Sequence, residues 1–281
     1  MLLYLSLFTA EAAFDELRFD TMLDWQGETY SGSYKNAYLK VTQQMCAAIA
    51  NSALTPPRTN GFQGIGVDLQ NSFSFIDSSY AHDQAPSSWS LMTPDEAPSK
   101  HLWIPELQLR KGLPFSIELG TKIAYLGNYK QGAYGVWGRL SPLEGYSGGP
   151  DISLQVGYSG LVGSDQLALG VMDLGMVMGK SFPFGPYVDL NSAHVTPMFA
   201  IGKLHTRSIL RIDDDLQEKL GINDYSSLPE MFAPSTQTEN ISPLYFSGGV
   251  QILNNDFRFQ ISYRYTTRTL STLASSIGFL Y

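Results

Sequence analysis

The chain has 281 residues, of which 16% are charged, and its formal net charge is −8. Average soluble proteins carry ~25% charged residues, and this chain also has 16 tyrosines and 15 phenylalanines, so it is too apolar to be disordered. The acidic balance, without any Lys/Arg-rich run, argues against nucleic acid as a partner.

The first residues have the pattern of an export signal. Residues 2–10 are mostly apolar, and Ala10, Glu11 and Ala12 form the A-x-A pattern that signal peptidase cleaves. The sequence therefore predicts a signal peptide over residues 1–12, although no Lys or Arg precedes the apolar run. No later stretch reaches the ~18 apolar residues of a membrane helix, so a membrane-embedded chain would have to cross as strands.

The next predicted element is a helix. Residues 34–54 carry apolar side chains at spacings of three and four, and Pro56 and Pro57 follow. This pattern predicts one amphipathic helix, which ends where proline cannot continue it. The helix contains Cys46, the single cysteine, and we expect this residue to act as a small apolar side chain.

Beyond Gly61 the chain alternates between apolar residues and polar or small ones, with the period of a β-strand. The alternation is clean at 61–76, 113–127, 150–163 and 256–268, and weaker at 101–111, 132–142, 166–180, 194–211, 241–253 and 270–281. About ten strands are predicted, or twelve if residues 186–195 form a hairpin of their own. A reversal of the alternation at residues 170–173 predicts a β-bulge.

The connections between these strands form two sets that alternate along the chain: one set is short throughout, and the other includes two long connections beside short ones. Residues 77–100 and 212–240 are long connections, whereas 111–114, 144–150, 182–186 and 254–256 are turn-like. The polar positions are mainly Ser, Gly, Gln and Thr, unlike the Lys- and Glu-rich face of a soluble sandwich. The sequence therefore predicts an all-β fold, a closed antiparallel up-and-down transmembrane β-barrel over residues 61–281.

The chain ends in SIGFLY, which places Ile277, Phe279 and Tyr281 on one face of the last strand. This ending resembles the C-terminal strand of bacterial outer-membrane β-barrel proteins, which the barrel assembly machinery recognises, with Tyr in place of the commoner final Phe. The resemblance implies the bacterial outer membrane as location, and outer-membrane lipid and the assembly machinery as partners. It identifies an architecture and no particular family.

A barrel of ~10 strands is wide enough only to be filled by its own side chains or to hold one small ligand, which argues against a general porin. Charged residues at inward positions should pair with one another, because a buried unpaired charge is costly. This predicts a polar network in the lumen made of Asp68, Glu118, Lys122, Arg139, Arg258, Arg264 and Arg268. Between the first and last strands, Asp68 is expected to face Arg264 or Arg268.

No catalytic residue, metal site or cofactor is predicted. The G-x-S-x-G match at 145–149 is followed by Pro150 and a strand, not by the helix that a nucleophile elbow needs. The four histidines lack metal-ligand spacing. His205 with Ser208 is a weak candidate pair for a membrane-embedded lipid-modifying hydrolase.

Two functions fit this sequence. The first is binding or passing a small or hydrophobic molecule across the outer membrane, with the N-terminal helical segment 13–60 acting as a plug or as a periplasmic docking helix. The second is a non-transport barrel that acts as a structural or partner-binding protein through its loops 77–100 and 212–240. The first loop carries Trp89 and Met92, which are typical of recognition surfaces.

Overall fold

The computed structural model describes residues 32–50, 55–76, 87–92, 99–127, 131–145, 148–164, 167–184, 193–210 and 242–281. The predicted signal peptide and the loop 212–240 lie outside these residues.

Two helices and eleven strands form within the described residues. They are α1 (Gly32–Ile49), β1 (Ile65–Phe75), α2 (Ser88–Met92), β2 (His101–Leu113), β3 (Ile117–Leu126), β4 (Gln131–Leu143), β5 (Asp151–Val162), β6 (Leu167–Gly179), β7 (Phe182–Phe184), β8 (Ala193–Leu210), β9 (Leu244–Asn254), β10 (Phe257–Thr266) and β11 (Leu270–Leu280). Except for β7, the strands lie where the two-residue alternation predicts them.

The strands close into a ring. β1 to β6 pair in chain order, β1 also pairs with β11, and β11, β10, β9 and β8 continue the sheet. A further pairing of β6 with β8 closes it, and all these pairs are antiparallel. The short β7 pairs with the start of β8 and is not part of the ring. The predicted closed antiparallel barrel is therefore confirmed, with ten strands.

The two ends of the barrel differ. One end, called the short-turn rim below, carries the turns at 114–116 and 255–256, the connection 144–150 and the C-terminus. The opposite end, the long-loop rim, carries the connections between β1 and β2 and between β8 and β9. Phe115, Ser116 and Asn255 have positive φ angles of 63°, 55° and 53°. This left-handed backbone reverses the chain within two or three residues, as tight hairpins require.

Side chains alternate between the outside and the inside of the barrel. On β1, Leu69 and Phe73 are exposed on the outside, whereas Asp68 and Ser72 are only 3% and 2% exposed on the inside. The outer face is thus an apolar band and much of the inner face is polar. A soluble sandwich has the opposite distribution, so this is the surface of a barrel that spans a membrane.

Helix α1 lies inside the barrel, against β5, β6, β8 and β11. Val41, Met45 and Ile49 follow one another at four-residue spacing and are each at most 1% exposed. Near the start of the helix, the Tyr38 hydroxyl donates to Ser208 close to the long-loop rim (3.4 Å), so α1 runs from that rim toward the middle of the lumen. In the described part of the chain, neither helix is both long and apolar enough to cross a membrane.

The bulge predicted at residues 170–173 is wrong. β6 pairs with β5 and with β8 without a register shift. Leu167, Leu169, Val171 and Asp173 all face inward. In the sequence the alternation is reversed because the first three of these residues are apolar side chains that cover the helix, whereas Asp173 belongs to the polar part of the lumen.

Candidate functional site in the barrel lumen

Apolar packing fills the half of the lumen next to the long-loop rim. Helix α1 contributes Val41, Met45, Cys46 and Ile49, all at most 1% exposed. The inner wall contributes a matching set of apolar side chains, which are Leu102, Ile104, Leu126, Leu161, Leu167, Leu169, Val171, Leu204 and Leu270. Since full burial of such a side chain contributes about 1.5–3 kcal/mol, the hydrophobic effect is the main force that holds the helix.

Cys46 lies within this packing. Its side chain is fully buried, and its Sγ is 4.0 Å from the backbone oxygen of Gly170. Burial raises the pKa of the Cys46 thiol to about 12, because the thiolate would lose its hydration. The residue therefore packs as a small apolar side chain, in line with the sequence-based expectation.

Trp89 of α2 covers the helix from the side of the long loop. Its side chain is fully buried, and its indole Nε1 donates to Oε1 of Gln44 on α1. The amide of Gln44 in turn donates to the backbone oxygen of Thr269 (2.9 Å). The prediction that Trp89 offers a recognition surface is wrong, because the indole is enclosed against α1; the side chain of Met92 lies outside the described part.

Two cations of the wall meet the C-terminal end of α1. Lys122 Nζ donates to the backbone oxygen of Ala50 (3.1 Å), and Arg264 donates to that of Ala47. The last carbonyls of a helix have no partner within it and carry partial negative charge, so cations stabilise this end. Lys122 also pairs with Glu106 at 3.0 Å, so its charge is balanced inside the lumen.

Residues 55–60, called the strap below, continue from α1 toward the short-turn rim. Arg139 Nη1 donates to the backbone oxygen of Pro56 (2.7 Å), and Ser141 donates to that of Pro57 (2.5 Å). The backbone N–H of Asn60 donates to Glu118 (3.1 Å). These side chains satisfy backbone groups that no secondary structure satisfies, which fixes an irregular segment inside the barrel.

Between the helix and the short-turn rim, buried charged side chains on the inner wall form a continuous series of ion pairs. Arg139 and Glu118 are 3.7 Å apart, Glu118 and Arg110 are 3.4 Å apart, Arg110 and Asp68 are 3.2 Å apart, and Asp68 also pairs with Arg258. All five side chains are at most 4% exposed. Each charge therefore depends on its neighbours, because removing one partner of a buried pair costs about 3–5 kcal/mol.

Glycine makes the pair between Asp68 and Arg258 possible. Register places Asp68 opposite Gly278 on β11 and Gly278 opposite Arg258 on β10. A Cβ at position 278 would overlap the Asp68 carboxylate and lie 2.7 Å from the backbone oxygen of Val67. Because Gly278 has no side chain, the Asp68 carboxylate and the Arg258 guanidinium can contact each other across β11.

Six of the predicted network residues are buried in the barrel interior, namely Asp68, Glu118, Lys122, Arg139, Arg258 and Arg264. Arg268 is not among them. It lies in the turn between β10 and β11 with a φ of 57° and an exposed side chain. The expected pairing of Asp68 with Arg264 or Arg268 is also wrong, because the register puts Arg264 level with Ser74, near the other end of β1.

The sequence reasoning missed four buried charged residues, which are Glu106, Arg110, Asp151 and Asp173. Glu106 and Arg110 lie at even-numbered positions of β2, as Gln108 does, and the side chains at these positions face inward. This two-residue pattern could have revealed them. Asp151 pairs with Arg58 of the strap at 2.8 Å. Asp173 accepts a hydrogen bond from the Tyr245 hydroxyl (2.9 Å).

The C-terminal residues Ile277, Phe279 and Tyr281 all face outward, with Phe279 and Tyr281 59% and 98% exposed. The backbone of Tyr281 exchanges two hydrogen bonds with Ile65, at 2.7 and 2.8 Å. The chain end is thus paired with the first strand to its last residue, and its aromatic side chain stays on the outer surface.

The hydrolase candidate does not assemble. Ser208 is buried on the inner face, whereas His205 is on the outer face and contacts the hydroxyl of Ser242 at 2.8 Å. Their spacing of three residues puts the side chains on opposite faces of a strand. Among the described residues, no group of three or more His, Cys, Asp or Glu side chains could hold a metal ion.

No protein-family model matches the chain, and no curated protein sequence matches it significantly. Solved β-barrels align with the chain at low sequence identity and low TM-score. The N-terminal β-barrel domain of Pseudomonas aeruginosa OprF is 8% identical with a TM-score of 0.33, covering 79% of this chain and 99% of that chain. The KdgM porin is 4% identical with a TM-score of 0.32, covering 76% and 98%. The translocator domain of the autotransporter NalP from Neisseria meningitidis is 8% identical with a TM-score of 0.32, covering 90% and 99%.

The ring of strands and the filled lumen together define the class of protein. The chain is a closed ten-stranded antiparallel β-barrel with an apolar outer surface. Its lumen contains α1, the strap and a network of inward-facing charges.

Proposed function

We propose that the protein spans the outer membrane of a bacterium, surrounded by outer-membrane lipid and assembled by the barrel assembly machinery. The apolar outer band and the ring without an open edge support this location, because unpaired backbone groups are costly in lipid. Short turns face the periplasm in barrels of this kind, so the long-loop rim would face the cell exterior.

Within this setting, we propose that the barrel binds or passes a small or hydrophobic molecule and that α1 is its gate. The carrying observation is the apolar inner wall beside α1, made of residues such as Leu102, Leu167 and Leu169. A water-filled lumen is normally lined by polar side chains. Displacement of α1 would leave a concave apolar space, which suits an apolar solute.

The gate is closed at rest. Opening requires the apolar contacts of α1 to separate and the contacts from Lys122 and Arg264 to the helix end to break. Trp89 must also leave Gln44. The open state is therefore a minor population that a ligand could increase by binding to the exposed wall.

A substitution at the centre of the packing tests the gate. Met45 is fully buried, so Met45→Glu places an unpaired charge against an apolar wall and weakens the closed state. Met45→Leu conserves the volume and serves as the matched control. We expect Met45→Glu to raise both channel conductance in planar bilayers and maleimide labelling of Cys46, while Met45→Leu behaves as the unsubstituted protein.

The two measurements separate the candidate functions. Labelling of Cys46 without conductance or solute uptake would show that α1 moves while nothing passes. That outcome would support the alternative, a non-transport barrel that acts as a structural or partner-binding protein through its loops 77–100 and 212–240. Conductance and labelling that rise together support passage.

A further inference from the structure

The lumen next to the short-turn rim is filled on one side only. The strap is held on the side of β4 and β5 by Arg139, Ser141 and Asp151. Between the strap and the strands β8, β9 and β10, a cavity of about 300 Å³ remains. Its walls include Asn60 of the strap, His194 of β8, Gln251 of β9 and Arg258 of β10. A space of this size can hold a small molecule with several non-hydrogen atoms.

The cavity is lined by cations. Arg58, Arg110 and Arg258 contribute to its surface, and no Asp or Glu is present among the described residues that line it. The carboxylates that balance these arginines, including Asp68 and Asp151, lie behind them in the wall. The surface seen from inside the cavity is therefore positive, although the region as a whole is close to neutral.

Three buried polar nitrogens at this cavity have no hydrogen-bond partner within the described part of the chain. They are Nη2 of Arg110, Nδ2 of Asn60 and Nδ1 of His194. Arg110 uses its Nε for Asp68 and its Nη1 for Glu118, so Nη2 is the donor left over. Buried donors almost always have an acceptor, and a donor without one costs about 1–3 kcal/mol.

Two of these donors converge on one place. A Cβ added to Gly66 would lie 2.9 Å from Nδ2 of Asn60 and 3.1 Å from Nη2 of Arg110. The two donors therefore lie close to each other. One ligand carrying two or three oxygen atoms can reach both of them.

We propose that this cavity binds a small oxyanion, either a carboxylate or a phosphate group. Arginine forms strong, charge-assisted hydrogen bonds with both groups, and the Asn60 amide and an N–H of the His194 imidazole supply further donors. The site goes beyond the proposed gating function. It lies next to the short-turn rim and is complete while α1 fills the rest of the lumen.

Equilibrium binding to the purified full-length protein in detergent tests the site. Calorimetric titrations with inorganic phosphate and, separately, with acetate are carried out at constant ionic strength. We expect saturable binding of at least one ion to one site, and a Kd about tenfold weaker in both Asn60→Ala and His194→Ala, the loss typical of one hydrogen bond to a charged group. Within the described part of the chain, neither Asn60 nor His194 takes part in an ion pair, so the barrel should still fold; His205→Ala, on the outer surface, is the matched histidine control.

The ion that binds identifies the ligand class, because phosphate alone indicates a phosphate ligand and acetate alone indicates a carboxylate. Absence of saturable binding for both ions would overturn the proposal, since the cavity would then hold only water. Unchanged affinity in Asn60→Ala and His194→Ala would overturn it as well, because binding would lie elsewhere. Neither result depends on conductance, so the site and the gate can fail separately.

Discussion

Replacement of Gly278 by alanine should destabilise the barrel far more than a single methyl group normally does. The new Cβ would overlap the Asp68 carboxylate and approach the backbone oxygen of Val67 to 2.7 Å. Asp68 cannot move away freely, because Arg258 and Arg110 both hold its carboxylate. Either the strands shift or the buried ion pair breaks.

The size of the effect follows from these two choices. Overpacking a close contact costs about 1–3 kcal/mol, and breaking a buried ion pair costs about 3–5 kcal/mol. We therefore expect Gly278→Ala to lower the free energy of unfolding by about 3 kcal/mol. This loss corresponds to a fall in Tm of about 6–12 °C for a domain of this size.

Gly248→Ala is the matched control, because a Cβ on this β9 glycine meets no atom within 4 Å. Thermal unfolding of both variants in detergent, followed by circular dichroism or by gel mobility, measures the difference. Equal Tm values for the two variants would refute the steric argument. In an Asp68→Ala background the cost of Gly278→Ala should shrink, since the carboxylate that it displaces is gone.

Three further expectations concern the plug and the chain end. Cys46 should resist maleimide at pH 8 in the folded barrel and react fully after denaturation, because burial raises its pKa to about 12 and leaves about one thiolate in ten thousand; rapid labelling of the folded state would contradict its burial. Lys122→Met should cost about 3 kcal/mol, because it leaves Glu106 unpaired and the Ala50 carbonyl without its donor, whereas Lys122→Arg should recover part of this loss in the same melting assay. Deletion of Tyr281 removes two backbone hydrogen bonds to β1 and should reduce the folded fraction in a refolding gel assay, whereas Tyr281→Phe should refold as the unsubstituted protein does.

The strands with polar inner faces could be predicted well from the sequence. On β1 and β10 the inside carries Asp68, Ser72, Arg258 and Gln260, so the two-residue alternation is clear. It weakens where α1 covers the wall, because the inner side chains are then apolar as well. The wrong bulge in β6 has this cause, since no pattern within a strand shows that a distant helix will cover it.

Pairing partners were harder to predict than inward-facing positions. The two-residue alternation alone places Asp68 and Arg258 inside the barrel. Their contact, however, depends on the register between three strands and on Gly278 between them. Strand β10 ends at Thr266, two residues before Arg268, and the two-residue alternation could not show where the turn begins. Local periodicity specifies which face a side chain occupies, whereas contacts between strands depend on the whole ring.

Under the proposed gating, the connection between α1 and β1 limits how the helix can move. Residues 50–64 join the end of the helix to the first strand of the ring, so a displaced helix stays attached beside the opening that it left. Its return is intramolecular, with an effective concentration on the order of millimolar for a short linker. Reclosing is therefore independent of protein concentration, and any solute in the vacated space must compete with a tethered helix for the same apolar wall.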